Sequence, residues 1–146
     1  MKGVVVDRVF WARFALSTLC TIQGVATVSI DLNRTHATNP AWPGHARFHL
    51  VWQTSTVVLL AGVELVLIAS GRGAGFYLAS VLAALSPLGF IATYFSRRLF
   101  GGTLSDPNGI PPARITAFGV ARSFDMNLVA VVVALISLVA IDFLYA

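Results

Sequence analysis

The residues best suited to chemistry lie in one segment, from Asp31 to Gln53, which contains all three histidines of the chain. His45 and His49 are four residues apart, so both imidazoles share one face of a helix. Gln53 and Thr56 continue that face, within roughly 100° of arc. Because imidazole titrates near neutral pH, a pair of this kind can act as general acid and general base. The spacing therefore predicts a catalytic pair, His45 and His49.

Two carboxylates complete this predicted acid/base site. Asp31 and Asp125 are expected to orient the histidines or to stabilise their charge. Polar and aromatic side chains near the pair are expected to place a substrate, and these are Asn33, His36, Asn39, Trp42, Trp52, Gln53 and Arg122. The alternative interpretation is a structural polar seam, with its tryptophans at the membrane interface.

A metal or cofactor is not expected. Histidines at i and i+4 are a known ligand spacing, and His36 or Asp31 could be a third ligand. However, no Cys or Glu lies near them in the sequence. Two histidines on one helix turn cannot bind haem from opposite sides, and the sequence has neither a glycine-rich phosphate loop nor a nucleophile elbow.

Composition places the chain in a membrane. Of its 146 residues, 57% are hydrophobic and only 11% are charged, against about 25% charged in soluble domains. A mean hydropathy of +0.81 cannot be hidden in the core of so small a domain. The net charge of +4 comes from Lys and Arg that mostly flank apolar runs, which indicates anchoring at lipid headgroups and not nucleic-acid binding. We expect a multi-pass protein of the cell membrane, in contact with membrane lipid.

Four apolar stretches are long enough to span a bilayer, which needs about 20 residues each. They cover residues 8–30, 45–70, 76–96 and 112–146, the last starting early because Pro111 and Pro112 suit the first turn of a helix. Short connections force neighbouring spans antiparallel. The predicted fold is all-α, a single-domain antiparallel four-helix bundle that could also form a homo-oligomer. The connections near residues 31–44 and 97–112 share one end of the bundle, here called the polar end.

Polar side chains on the first span form a second stripe. Cys20, Gln23, Thr27 and Asp31 lie within roughly 80° of arc. Gln23 lies deep in the span, where its amide needs a partner on another helix. Because lipid solvates polar groups poorly, we expect this stripe and the histidine face to turn towards the bundle interior.

Glu64 stands apart from the histidines. It lies about 15 residues beyond His49, so roughly 22 Å further along the helix and near the end of the bundle where the first span begins. Arg13 lies about one turn inside that end, so a Glu64–Arg13 ion pair is predicted. The alternative is that Glu64 is a functional acid inside the membrane.

The segment around the three histidines carries a resemblance. Asn33-Arg34-Thr35-His36, Asn39-Pro40, Trp42-Pro43 and His45-Ala46-Arg47-Phe48-His49, followed by Trp52-Gln53, resemble a motif of a family of small four-span membrane proteins without an assigned activity. The resemblance implies an architecture and no reaction. Size and span number also resemble the DoxX-like and sterol-isomerase-like membrane families, in topology only.

These patterns favour one functional hypothesis and leave two others open. The first is a membrane-embedded enzyme that performs acid/base chemistry on a lipophilic small molecule: isomerisation, cyclisation or hydrolytic ring opening. The second is a non-enzymatic accessory or lipid-binding protein. The third is a proton or metal carrier, which the deep position of Glu64 favours.

Overall fold

Four long helices build the protein. The computed structural model describes residues 2–105, 110–117 and 120–146, with side chains from residue 8 onwards except at 117. Its helices are α1 (Lys2–Asp31), α2 (Gly44–Ala69), α3 (Gly73–Ser96) and α4 (Met126–Tyr145). Each contains a segment long and apolar enough to cross a membrane. The predicted all-α four-helix membrane bundle is thereby confirmed.

The helices pack in a closed square, in chain order. α1 contacts α2 and α4, and α3 contacts the same two helices, so α1 and α3 are parallel neighbours across the diagonal. The outer surface carries large apolar side chains, for example Leu59 and Val66, each 71% exposed, and Phe143, 75% exposed. Such a surface suits lipid and not water, as expected for a multi-pass membrane protein.

The bundle core is built from small and medium-sized side chains. Its buried cluster consists of Ala12, Leu16, Cys20, Ile68, Phe76, Ala79, Ala83, Leu138 and Ile141. Between α1 and α2 the backbones approach closely, because a Cβ atom at Gly24 would lie 3.2 Å from the Cβ of Ala61. Small residues at such positions let helices in lipid pack by van der Waals contact, and this contact fixes the register of α1 against α2.

Gln23 and Pro87 are linked through one carbonyl group. Pro87 lies inside α3 and has no N–H, so the carbonyl of Ala83, four residues earlier, loses its helical partner. The Gln23 side-chain amide donates to that carbonyl at 3.2 Å. The prediction that Gln23 finds a partner on another helix is therefore confirmed, and the bond explains how α3 tolerates a buried proline.

The Gln23 bond can be tested by a double-mutant cycle. We expect Gln23→Leu to lower the free energy of unfolding by about 1–3 kcal/mol, because it leaves a buried carbonyl without a donor. Pro87→Ala restores the backbone N–H, so adding it to Gln23→Leu should recover most of the loss in thermal stability in detergent. Strictly additive melting temperatures would contradict this coupling.

The polar end differs from the prediction in one element. The fourth span does not begin near Pro112, because residues Ala113–Ala117 (β1) and Val120–Phe124 (β2) form an antiparallel hairpin in which Ile115 pairs with Arg122. This segment contains residues that favour strands, such as Ile115 and Val120, and apolar and polar residues alternate along the β1 sequence. The helix starts only after Asp125, whose side chain accepts from the Leu128 amide at 2.8 Å and caps it.

Candidate functional site

The two predicted catalytic histidines lie on the outside of the bundle. His45 and His49 are both exposed, and their Nε2 atoms are 3.0 Å apart. Gln53 and Thr56 on the same face are also exposed. The prediction that this face turns inward is wrong. The residues that α2 buries are Thr54, Ala61, Glu64 and Ile68. The centre of that buried face lies roughly 100° around the helix from the histidine face.

Neighbours of the histidine pair are aromatic. The His49 ring lies 5.8 Å from the ring of Trp52 and 6.0 Å from that of Phe48, measured between centroids, and Trp52 is itself 60% exposed. Within the part of the chain that the structure describes, no third His, Cys, Asp or Glu joins a cluster that could hold a metal ion. The pair is an accessible polar patch beside interfacial aromatic rings.

The polar loop after α1 largely satisfies its own hydrogen bonds. Asn33 donates to the carbonyl of Ile30 at 2.8 Å and accepts from the backbone of Thr35 at 2.8 Å. Asn39 is only 4% exposed and accepts from the Ala41 backbone at 3.0 Å. These asparagines were predicted to bind substrate, and the structure places their side chains in the helix end and turns of the loop itself.

His36 and Trp42 complete this loop. The His36 Nδ1 lies 2.7 Å from the Thr35 hydroxyl, and the His36 ring makes an edge contact with Trp42 at 5.4 Å between centroids. Asp31, at the end of α1, accepts from the hydroxyl of the buried Thr54 at 3.2 Å. The contacts of His36 that the structure describes are thus within the loop itself, and the Asp31–Thr54 bond ties the end of α1 to α2.

The remaining predicted site residues are dispersed. Asp125 is the N-cap of α4, and Arg122 is an exposed residue of β2 opposite Ile115. The only hydrogen-bond partner that the structure gives His45 within the described residues is His49. The predicted orientation of the histidine pair by Asp31 or Asp125 is therefore not found.

Because the histidine pair is exposed, its removal should cost little stability. We expect the double variant His45→Gln/His49→Gln to unfold within about 0.5 kcal/mol of the wild type, as is usual for surface positions. The measurement is the melting temperature in detergent, with Thr54→Val, on the buried face of the same helix, as the matched control that should lower it. A clear loss of stability in the histidine variant would mean that another molecule or a packed interface covers this face.

Glu64 belongs to the buried face of α2. It is only 3% exposed, and it lies next to the thiol of Cys20, which is fully buried. The predicted Glu64–Arg13 ion pair is wrong, because the Gly24–Ala61 contact sets α2 in a register that brings Glu64 opposite Cys20. Arg13 lies seven residues before Cys20, roughly 10 Å away along α1.

Arg13 instead binds the end of the bundle where the chain begins. Its guanidinium donates to the carbonyl of Gly71, in the turn between α2 and α3, and to the Tyr145 hydroxyl at 3.4 Å. Gly71 has a φ of 77°, which favours glycine over residues with a Cβ. Tyr145 stacks on the buried Phe76 at 3.8 Å between ring centroids. Arg13 thus links α1, the α2–α3 turn and α4.

Asp142 is a partly buried acid that the sequence interpretation missed. One of its carboxylate oxygens accepts from the hydroxyl of Ser80 at 3.0 Å, while the other, Oδ1, is buried and has no partner among the described residues. The sequence signal was available, because Asp142 is an acid within the apolar run of the last span, and acids inside a membrane commonly face the bundle interior.

Cys20, Glu64, Ser80 and Asp142 lie at one level of the bundle. α1 and α3 are parallel, and Gln23 contacts Ala83. The residues three positions earlier, Cys20 and Ser80, therefore lie at the same height. Since Glu64 lies next to Cys20 and Ser80 donates to Asp142, the two carboxyl groups lie at a similar depth, on the diagonal helices α2 and α4. We call these four residues the carboxyl layer.

A polar stripe on α1 connects this layer to the polar end of the bundle, whereas the buried Leu16 separates it from Arg13. On one side lies Arg13, and on the other Gln23, Thr27 and Asp31 follow at intervals of three or four residues, roughly 5–6 Å each. Along α1, Arg13 and Asp31 lie roughly 27 Å apart, close to the thickness of a bilayer core of about 30 Å. The predicted inward stripe of α1 is confirmed by the full burial of Cys20 and by the partners of Gln23 on α3 and Asp31 on α2.

Comparison with known proteins assigns neither a family nor a function to this chain. The chain matches no protein-family model, no curated protein and no solved structure.

Proposed function

We propose that this membrane protein binds and moves protons through the interior of its bundle, with Glu64 and Asp142 as the groups that take up and release them. The observation that carries the proposal is the carboxyl layer: two acids at one height inside a four-span bundle. The described groups beside them are the thiol of Cys20 and the hydroxyl of Ser80, and neither group neutralises a carboxylate. Unneutralised acids are costly in a membrane interior and commonly mark proton relays.

The surroundings of the layer suit a proton better than a larger substrate. Leu16, Cys20 and Phe76 are fully buried around it, and a proton needs only hydrogen-bonding groups in sequence, without an open channel. Between the layer and the polar end, the stripe on α1 supplies such groups at Gln23, Thr27 and Asp31. Asp31 and its partner Thr54 lie at the polar end, while Arg13 and Tyr145 lie at the opposite end. These positions support a relay in which the layer is the storage site.

Proton flux in proteoliposomes tests this proposal. The purified protein is reconstituted with a pH-sensitive dye trapped inside, and a potassium gradient with valinomycin drives proton movement. We expect internal pH to change several-fold faster than in protein-free liposomes. This additional rate should depend on Glu64 and Asp142. Equal rates in the two kinds of liposome would overturn the proposal and favour a structural polar seam.

A second candidate is an acid/base enzyme that acts on a lipophilic molecule at the membrane surface. The observation in its favour is the His45–His49 pair, with two imidazole nitrogens 3.0 Å apart on a face accessible from the bilayer interface. A double histidine variant distinguishes these two candidate functions. His45→Gln/His49→Gln should leave proton flux unchanged under the relay proposal, whereas it removes the acid and the base of the enzyme proposal.

A further inference from the structure

A cavity at the polar end lies between α3 and the start of α4. It has a volume of about 190 Å³ and is lined by Phe90, Thr93, Tyr94, Arg97, Phe100, Gly102, Thr103, Leu104 and Asn127. Because drug-sized ligands usually occupy about 300 Å³ or more, this cavity can enclose only part of an amphiphile. Among the described residues of the lining, Arg97 is the one that carries a charge.

Arg97 is held in place and still offers free donors. Its guanidinium lies over the Tyr94 ring, 4.1 Å from the centroid, and donates to the Tyr94 carbonyl at 2.5 Å. A guanidinium has five N–H donors, and that carbonyl takes one of them in the part of the chain that the structure describes. The stacked, fixed guanidinium is the geometry with which arginine recognises phosphate and carboxylate oxygens.

The cavity lies at the depth of lipid headgroups. The third span ends at Leu99, two residues beyond Arg97, and the fourth begins at Met126, beside Asn127. Phe90 lies seven residues before Arg97, so roughly 10 Å deeper in the bilayer. The lining therefore has a polar, cationic part at the surface and an aromatic part below it. Asp125, the capping acid of α4, is not part of the lining because its carboxylate binds the Leu128 amide.

We propose that this cavity binds the anionic, phosphate-bearing head group of a membrane lipid, with Arg97 as the anion-binding residue. Thr93 and Asn127 supply neutral hydrogen-bond donors, and Phe90 and Leu104 contact the first carbons of the lipid chain. The site is separate from the carboxyl layer and does not depend on the proton relay. A lipid is favoured over free phosphate because half of the lining is apolar and opens at headgroup depth.

Lipid titration in an uncharged detergent tests this site. Phosphatidylglycerol, phosphatidylcholine and inorganic phosphate are titrated separately, and the rise in melting temperature gives an apparent Kd. We expect phosphatidylglycerol to bind at least tenfold more tightly than phosphatidylcholine, and inorganic phosphate to give no shift at matched concentrations. Equal binding of the two lipids, or an equal shift with inorganic phosphate, would overturn the lipid site.

Variants distinguish the cavity from general surface charge. Arg97→Gln should weaken phosphatidylglycerol binding at least tenfold, and Arg98→Gln, the exposed neighbour with the same charge, should change it less than twofold. Thr93→Val, which keeps side-chain volume, should weaken binding about threefold and serves as the test if Arg97→Gln does not fold. Equal losses for Arg97→Gln and Arg98→Gln, or no loss for Thr93→Val, would contradict the assignment.

Discussion

Replacement of Glu64 by Gln is expected to reduce proton flux in proteoliposomes at least tenfold. Gln is nearly isosteric with Glu, so packing around the layer should be kept. It cannot bind and release a proton at neutral pH, and a relay that stores protons at Glu64 then fails. Asp142→Asn removes the second acid of the layer and should lower flux in the same way.

The matched control for these variants is Asp125→Asn. It makes the same chemical change in a carboxyl group outside the carboxyl layer, and Asn is as good an N-cap as Asp, so α4 should start normally. Flux of this variant should equal that of the wild type at equal amounts of reconstituted protein. Wild-type flux in Glu64→Gln, with normal folding, would exclude Glu64 from the relay.

Replacement of Arg13 by Leu is expected to give the largest loss of stability, about 2–3 kcal/mol, because hydrogen bonds from a charged donor contribute about 1.5–3 kcal/mol. Arg13 donates to the Gly71 carbonyl and to the Tyr145 hydroxyl, and so holds three helices together at one end. The variant should melt well below the wild type in detergent. Arg13→Lys, with a single ammonium group, should fall between the two.

Arg8→Leu controls for the loss of a positive charge at this end. Arg8 is an exposed residue of α1, five positions before Arg13, and its replacement should change stability by no more than about 0.5 kcal/mol. If Arg13→Leu also melts like the wild type, the link between α1, the turn and α4 does not stabilise the bundle. If both variants lose the same stability, net charge and not the Arg13 contacts is responsible.

Interior polar contacts of α1 could be predicted because each has a local cause. Gln23 is an amide deep in a span, where it must find a partner, and Pro87 frees a carbonyl by its chemistry alone. The sequence thus predicts one orphan donor and one orphan acceptor. Their meeting at 3.2 Å required the diagonal packing of α1 and α3, which periodicity does not encode.

Helical periodicity could not decide which face of α2 is buried, because that helix has two polar faces. One carries His45, His49 and Gln53, and the other carries Thr54 and Glu64. A pattern of spacing shows which residues share a face but gives no direction in the bundle. The small-residue contact of Gly24 with Ala61 turned the second face inward, and the histidines were left outside.

The sequence by itself determined the number of spans, their antiparallel order and the inward stripe of α1, since apolar length and helical period need no partner. Only the tertiary structure decided the rotation of α2, the position of Glu64 beside Cys20 and not beside Arg13, and the common level of Glu64 and Asp142. These features depend on how far one helix slides and turns against another. That offset is set by close packing between helices distant in sequence, and no local pattern in the chain records it.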